Sequence, residues 1–394
     1  MRPKSILAPG FLLLICSLPP SALCQTINGV YRGTLGKQEI VLEIGADPDQ
    51  PDGLAGRYFY RSHGVAISLK GGHLLDGSFL LTEYHSWKNT GGQWKLKFHN
   101  DDASGTFCKC DPQHAPAGKP RPVQLRRVSS GFNPDFELFL SEPEAGSAPD
   151  QAYYNLLLDF PLTTGREVTT GNGYAYVMIE DPRFKTGLPR ITRFPDPAAM
   201  IKTNQLLDKE LTRYRLTAAE CLQGVSFNGG DFELKTTVEL LNRHLLSVTR
   251  QGMISCGGAH PDGVTYINTY DLDSGSETSV EELLAREMDQ QAARKWIGNG
   301  ELGSKDMVHR LIAELYLRHA QPDKSCRDVI SRNEESHEPA FDTLQYLSSR
   351  GLVAQPSLPH VAQACAEPVT IPYEELRTLL RKGSQFFSLV GRAQ

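Results

Sequence analysis

The segment 245–284 constrains the fold of this chain more than any other stretch. It reads LLSVTRQGMISCGGAHPDGVTYINTYDLDSGSETSVEELL. An alternating run comes first, the glycine-rich loop 256–261 interrupts it, and 264–270 then resumes the period of two that is typical of a strand. The turn sequence Asp-Ser-Gly follows, and Ser279 with Glu282 three residues later matches a capping box at a helix start. The segment therefore predicts a strand, a loop, a strand, a turn and a helix.

This segment also resembles a known bacterial family. Its GGAHP loop, its strand ending in Tyr-Asp-Leu and its Val-Glu-Glu-Leu-Leu helix start are similar to the domain of unknown function 3298 (DUF3298). A second element, Gly-Leu-Val from 351 and Ile-Pro-Tyr-Glu-Glu-Leu from 371, resembles the closing motif of that family. The resemblance covers 225–382. This family forms the extracellular domain of lysozyme-sensing anti-sigma factors, and it also accompanies the catalytic domain of some peptidoglycan deacetylases. The resemblance therefore implies an envelope domain that binds a partner without catalysing a reaction.

Residues 26–128 are predicted to form an all-β domain. Short runs rich in β-branched and aromatic residues are separated by Gly, Asp and Asn turns, a pattern typical of a meander or small barrel. The predicted strands are 27–33, 40–44, 56–60, 65–69, 79–84, 93–96, 103–107 and 122–125. Aromatic residues at alternate strand positions are expected in the core, with a ligand surface as the alternative. These residues are Tyr58, Phe59, Tyr60, Tyr84, Trp87 and Trp94.

A polar segment at 129–150 contains Gly and Pro and predicts a linker, so a second domain is placed at 151–386. Its predicted strands are 153–160, 174–179, 232–241, 245–254, 264–270 and 338–347, and its predicted helices are 197–222, 279–298, 304–319 and 373–382. Strands and helices are segregated rather than alternating as βαβ units. The chain is therefore predicted as α+β: an all-β meander or small barrel, then an α+β domain with an antiparallel sheet packed by helices.

The N-terminus predicts a signal peptide at 1–24. Its positive charges, apolar segment and terminal small residues favour cleavage before Gln25. Lipid attachment at Cys24 is the alternative, but Leu23 is not the small residue that lipoprotein signals place before the cysteine. No later run approaches the roughly 20 apolar residues of a membrane span. We therefore expect an exported protein, periplasmic or secreted.

Six cysteines follow residue 24. An even number in an exported chain predicts disulfides, and the connectivity that we favour is local. It pairs Cys108 with Cys110, Cys221 with Cys256, and Cys326 with Cys365. The alternative for the first pair is a copper or zinc site that adds His114, although a fourth ligand is not evident.

The remaining sequence signals exclude several functional classes. A formal net charge of −5 without a basic stripe argues against nucleic-acid binding. Hydrolase elbow, zincin, phosphate-loop and dinucleotide motifs are absent from the sequence, so no catalytic residue, metal or cofactor is predicted. Acidic residues around the 271–282 turn do not have EF-hand spacing and are expected to be solvated turn and helix-start acids.

A binding surface is predicted on the glycine-rich loop and the strand after it, because loops on a rigid scaffold often carry function. Its residues are Gly257, Gly258, His260, Pro261, Tyr266 and Tyr270. The structural alternative is that the glycines permit a positive-φ turn that His260 stabilises. We expect a non-catalytic envelope binding module whose partner is a lysozyme-like protein or a peptidoglycan fragment. The alternatives are an envelope hydrolase that uses acids such as Asp271 or Glu83 in a cleft, and a periplasmic metal-binding protein.

Overall fold

A computed structural model describes residues 27–50, 53–85, 88–110, 116–131, 152–224, 231–256, 261–289, 291–292, 304–335, 345–358 and 360–381. The chain divides into two compact units, Met1–Leu157 and Leu158–Gln394. The predicted signal peptide and most of the predicted linker lie outside the described residues.

The first unit contains a closed barrel of eight antiparallel strands, in which each strand pairs with the next and β8 pairs with β1. The strands are β1 Gly29–Leu35, β2 Gln38–Ala46, β3 Gly53–Tyr60, β4 Ala66–His73, β5 Phe79–His85, β6 Lys88–His99, β7 Asp102–Cys110 and β8 Pro116–Ser129. Each of the eight strands predicted from the sequence is present, so the predicted small barrel is confirmed.

Aromatic and aliphatic side chains fill the barrel. The Tyr58 ring lies 4.7 Å from that of Trp94, which lies 5.5 Å from Phe107, and all three side chains are buried. An eight-stranded barrel has an interior just wide enough for side chains. The expectation that Tyr58, Phe59 and Trp94 belong to the core is therefore confirmed, while Tyr60 and Tyr84 are half-buried and Trp87 lies outside the described residues.

The prediction of a strand at 153–160 is wrong, because Ala152–Leu158 forms helix α1. Its residues Tyr153 and Tyr154 pack around the buried guanidinium of Arg57, which lies 4.3 Å from the Tyr153 ring centroid and donates a hydrogen bond of 3.0 Å to the Tyr154 hydroxyl. A short apolar run is compatible with either a strand or a helix. Contacts with a distant arginine, which local pattern does not report, accompany the helical form here.

The described residues of the second unit form three sheets. A small sheet consists of β9 Thr163–Thr164, β10 Val168–Thr169, β11 Ala175–Asp181 and β12 Thr186–Arg193, and helix α2 Pro197–Gly224 follows it. The second sheet has the order β13 Asp231–Leu241, β14 Leu245–Ser255, β15 Asp262–Asp271 and β16 Ser276–Thr278. The third sheet has the order β17 Gln345–Leu347, β18 Gly351–Ala354 and β19 Val369–Pro372.

The helices that follow β16 are α3 Val280–Glu287, α4 Ser304–Ala320, α5 Lys324–Glu335 and α6 Tyr373–Arg377, with a 3₁₀ helix at His360–Cys365. Helix α3 begins at the predicted capping box, in which the Ser279 hydroxyl accepts from the Glu282 amide at 3.0 Å. Helix α5 was not predicted, and α6 ends before the predicted residue 382. Helices beside antiparallel sheets confirm the α+β class.

Helix α2 covers one face of the second sheet. Leu207, Leu211 and Tyr214 are buried at helical spacing and pack with Leu246, Val248 and Tyr270 of the sheet. The helix starts at Pro197, where a missing N–H costs nothing, and the Asp196 carboxylate accepts from the Ala198 amide at 2.9 Å. The predicted helix 197–222 is therefore confirmed.

Two of the three predicted disulfides are present. Cys221 at the end of α2 is bonded to Cys256 after β14, with their Cα atoms 4.4 Å apart, and Cys326 of α5 is bonded to Cys365. The predicted Cys108–Cys110 bond is wrong, because Cys108 has a free thiol. Residues i and i+2 of a strand are about 6.6 Å apart, which is at the limit of disulfide geometry.

Among the helices of the described ranges, none is long and apolar enough to cross a membrane. Within the same ranges, no group of three or more His, Cys, Asp and Glu side chains is placed to hold a metal ion. His114 of the proposed metal site lies outside the described residues.

Candidate functional site

The outer edge of β15 is the candidate site. β14 pairs with β15 over its whole length, but β16 pairs only with 269–271. In the part of the chain that the structure describes, the outer edge at 262–268 therefore has no neighbouring strand. At about 3.3 Å per residue this open edge is roughly 20 Å long. Such an edge presents N–H and C=O groups that another strand can pair with.

Tyr266 lies in the middle of this open edge, with 40% of its surface exposed. Its partner in the register of β14 is Arg250, which is only 2% exposed. The guanidinium carbon of Arg250 lies 4.9 Å from the centroid of the Tyr266 ring, within the range of a cation–π contact. The tyrosine thus covers the arginine on the side of the open edge.

Under α2, Arg250 enters a chain of polar side chains. Its Nη2 donates to the Tyr214 hydroxyl and to Asn268 Oδ1, the latter at 3.2 Å. The Tyr214 hydroxyl also donates to Asn268 Oδ1, at 3.1 Å, and Asn268 Nδ2 donates to Glu277 Oε1 at 2.6 Å. Glu277, the acid in this hydrogen-bonded series, is therefore separated from the Arg250 guanidinium by the Asn268 amide.

Arg250 differs from the other buried arginines in that no carboxylate of the described part of the chain pairs with it. Arg57 pairs with Glu43 at 2.8 Å, and Arg215 pairs with Asp181 at 2.7 Å. No carboxylate of the described residues lies within 4.0 Å of the Arg250 guanidinium, and its Nε and Nη1 are buried without a hydrogen-bond partner. Burial lowers the pKa of Arg250, because desolvation disfavours the charged form.

The predicted contact residues differ in their exposure to solvent, and some of them lie outside the described residues. Gly257, Gly258 and His260 lie outside the described residues, and Pro261 is exposed at the start of β15. Tyr270 is 1% exposed beneath α2, and burial raises its pKa. We therefore correct the predicted set by removing Tyr270, because a side chain covered by a helix is not available to a partner. Tyr266 and Pro261 remain accessible.

Arg250 is not among the predicted site residues, although the sequence carries a signal for it. Arg250 continues the period of two set by Leu246 and Val248, both of which are fully buried. A charged residue in the inward-facing register of a strand is uncommon unless it is paired. Its position therefore marked it as a residue that needs a partner.

A pocket of about 500 Å³ lies beside α3 and is lined by Ile267, Thr269, Gln345 and residues 277–282. Two of its acids already have structural roles. The Glu282 carboxylate accepts from the Ser279 amide at 3.4 Å in the capping box, and Glu277 accepts from Asn268. The pocket thus does not present a free pair of carboxylates of the kind that glycoside hydrolysis uses.

The two acids named for a hydrolase also have local partners. Asp271 Oδ1 accepts from the backbone amides of Asp273 and Ser274, at 2.9 and 3.2 Å, and so shapes the turn after β15. Glu83 lies in the barrel, where it accepts a hydrogen bond from the Tyr58 hydroxyl and where burial raises its pKa. These contacts favour structural roles for both residues.

Two solved structures that are similar to this chain belong to the family that its motifs resemble. No model of a protein family matches the chain, and no curated protein matches it. A crystal structure of a DUF3298 family member from Bacteroides fragilis NCTC 9343 is similar at 13% identity, covering 59% of this chain and 96% of that chain, with a TM-score of 0.32. One from Pseudomonas aeruginosa PAO1 is similar at 14% identity, covering 57% and 96%, with a TM-score of 0.32.

Both structures are of the DUF3298 family that the motifs resemble. The site at the edge of β15 rests on the register, burial and hydrogen bonds of this chain alone.

Proposed function

We propose that this chain is an exported, non-catalytic binding module of the bacterial envelope, and that its partner docks on the open edge of β15. The observation that carries the proposal is the stretch 262–268, which pairs with no outer strand among the described residues and has Tyr266 exposed at its centre over a buried Arg250. The signal peptide 1–24, the all-β domain 26–128, the linker 129–150 and the α+β domain 151–386 form part of this proposal.

A partner would bind by adding an extended segment to the sheet. Backbone hydrogen bonds along the edge would supply affinity, and alternate side chains would supply specificity. Tyr266 belongs to the residue types that most often dominate binding energy, because its ring offers a large contact area and few rotatable bonds. Pro261, the residue before β15, extends this contact surface, and the proposal includes His260 on the sequence pattern alone.

The partner that we propose is a lysozyme-like protein. The chain has a formal net charge of −5, which favours encounter with a cationic protein. A peptidoglycan fragment is the other ligand to be tested. The known binding role of the family that the motifs resemble supports the choice of this partner class, and the open edge supports a protein strand over a sugar chain.

The test is a titration of the mature chain, residues 25–394, against lysozymes and against soluble peptidoglycan fragments. We expect saturable binding to a lysozyme that Tyr266→Ala weakens about tenfold or more. Met253→Ala is the matched control, because Met253 is 49% exposed on the neighbouring strand but faces the other side of the sheet. Binding that survives Tyr266→Ala unchanged, or no binding to either ligand class, would overturn the proposal.

A further inference from the structure

Arg250 is a buried cation in which two donor nitrogens make no hydrogen bond. It lies beneath the side chain of Tyr266 at the open edge of β15. Its Nε and Nη1 have no partner, and no described carboxylate is within salt-bridge distance. The other buried arginines, Arg57 and Arg215, have their carboxylates in place. Two of the three buried arginines have a carboxylate partner among the described residues and Arg250 has none there, which marks Arg250 as a position where an outside anion can bind.

Other charges near Arg250 do not replace that anion. Glu210 favours its charged form and Arg213 of the same helix opposes it, with the tyrosines Tyr214 and Tyr270 beside them. Glu277 is reached only through Asn268. An ion buried without a direct partner is unfavourable, and an unmade hydrogen bond adds to that penalty. A ligand that supplies oxygen acceptors at this point would recover both losses.

The route to Arg250 passes Tyr266. The two residues are register partners on β14 and β15, so a group that docks beside Tyr266 on the open edge is one strand away from the guanidinium. Tyr266 is exposed on its outer side and makes a ring contact with Arg250 on its inner side. A change of the tyrosine rotamer would remove the ring that covers the guanidinium on the side of the edge, without moving the backbone.

We infer that the β15 edge recognises an extended peptide that carries a carboxylate, and that Arg250 receives this carboxylate beneath Tyr266. The inference rests on the proposed function, because it requires a partner strand at the same edge. A carboxylate matches the planar donors of a guanidinium and can belong to an Asp or Glu side chain of the added strand or to its C-terminus. Arg250 is then a specificity-determining residue of the binding edge.

A random heptapeptide library displayed on phage, selected on the full mature chain, tests the inference. Wild-type protein should select peptides enriched in Asp or Glu at one position or in a free C-terminal carboxylate. Arg250→Met should select edge-binding peptides without that enrichment. Arg250→Lys, which keeps the charge but not the planar donors, should retain a weaker acidic preference.

A second measurement does not depend on a protein variant folding. A selected peptide is synthesised with its acid and with the matching amide, and both are titrated against wild-type protein. The acid form should bind about tenfold more tightly or better. Equal affinity of the two forms, or acidic enrichment that persists in Arg250→Met, would overturn the inference while leaving edge binding in place. Peptides whose binding Tyr266→Ala does not weaken would overturn the proposed function as well.

Discussion

Arg250 and Tyr266 are register partners on adjacent strands, and the arginine is 2% exposed while the tyrosine is 40% exposed. The guanidinium carbon lies 4.9 Å from the Tyr266 ring centroid. This pair connects a buried charge to an open strand edge through one side chain. Within the described residues of the second unit, an edge without a pairing strand, an exposed aromatic ring and a cation without a carboxylate partner lie together at this pair.

Replacement of Arg250 by Met should leave the fold intact and raise its stability. Asn268 Oδ1 keeps the Tyr214 hydroxyl as a donor, and the variant removes a buried charge that has no counterion. We expect the free energy of unfolding to rise by about 1–3 kcal/mol in urea denaturation.

Arg215→Met is the comparison variant, since it removes an ion pair from the fully buried Asp181, which keeps Arg183 at 2.7 Å, and it should lower the free energy of unfolding by about 1–3 kcal/mol. An Arg250→Met variant that loses as much stability as Arg215→Met would show that Arg250 has a structural counterion. A gain in stability in Arg250→Met would agree with a binding role for Arg250, because residues of functional sites often lower the stability of the fold.

Glu83→Gln should stabilise the barrel at neutral pH and not at acidic pH. Burial raises the pKa of Glu83 above its ordinary value near 4.5. A carboxyl whose folded-state pKa is raised contributes stability that is fully present below the unfolded pKa and lost as pH rises through the folded pKa. Glutamine stays neutral and still offers an acceptor to Tyr58, so the variant escapes that loss.

The measurement is the thermal midpoint of wild type and variant at pH 4 and pH 7. The difference between them should be small at pH 4 and favour Glu83→Gln at pH 7. Glu233→Gln is the control, because Glu233 is 62% exposed in its contact with Lys185. An equal difference at both pH values would contradict the assignment of a raised pKa to Glu83.

Cys108 should react with iodoacetamide in the native, unreduced protein, as its thiol is free and partly exposed. Cys221, Cys256, Cys326 and Cys365 should react only after reduction. The two bonds span 35 and 39 residues, so each should contribute about 3–4 kcal/mol, and dithiothreitol should lower the urea midpoint. Labelling of Cys221 before reduction, read by mass spectrometry, would contradict the observed pairing.

The sequence predicts those elements whose local residue pattern matches the structure that the tertiary contacts require. Turn residues separate the eight barrel strands, and the strands are rich in β-branched and aromatic residues, so the sequence predicts each one even though β2 and β3 are buried over most of their length. The capping box of α3 is likewise a local signal, with Ser279 and Glu282 three residues apart. Helix α1 was missed because its seven residues do not span enough turns to distinguish a helix from a strand.

The candidate site was only half predictable for a related reason. Tyr266 and Tyr270 look equivalent in sequence, since both occupy the same face of one strand. Their difference in exposure comes from α2, which packs on that face through Tyr214 from more than 50 residues away. The same helix buries Arg250. The packing of α2 on the sheet decides which residues of this strand face are buried and which are exposed. That packing is not visible in the sequence of the strand itself.

Hydrogen–deuterium exchange of the mature chain, with and without saturating lysozyme, tests the central claim most directly. Docking at the β15 edge predicts slower exchange of amides within 262–268 when the partner is bound, because an added strand would accept their outward hydrogen bonds. Amides at 269–271 already pair with β16 and should change little. Unchanged exchange at 262–268, with protection on another surface or with no protection at all, would contradict the claim.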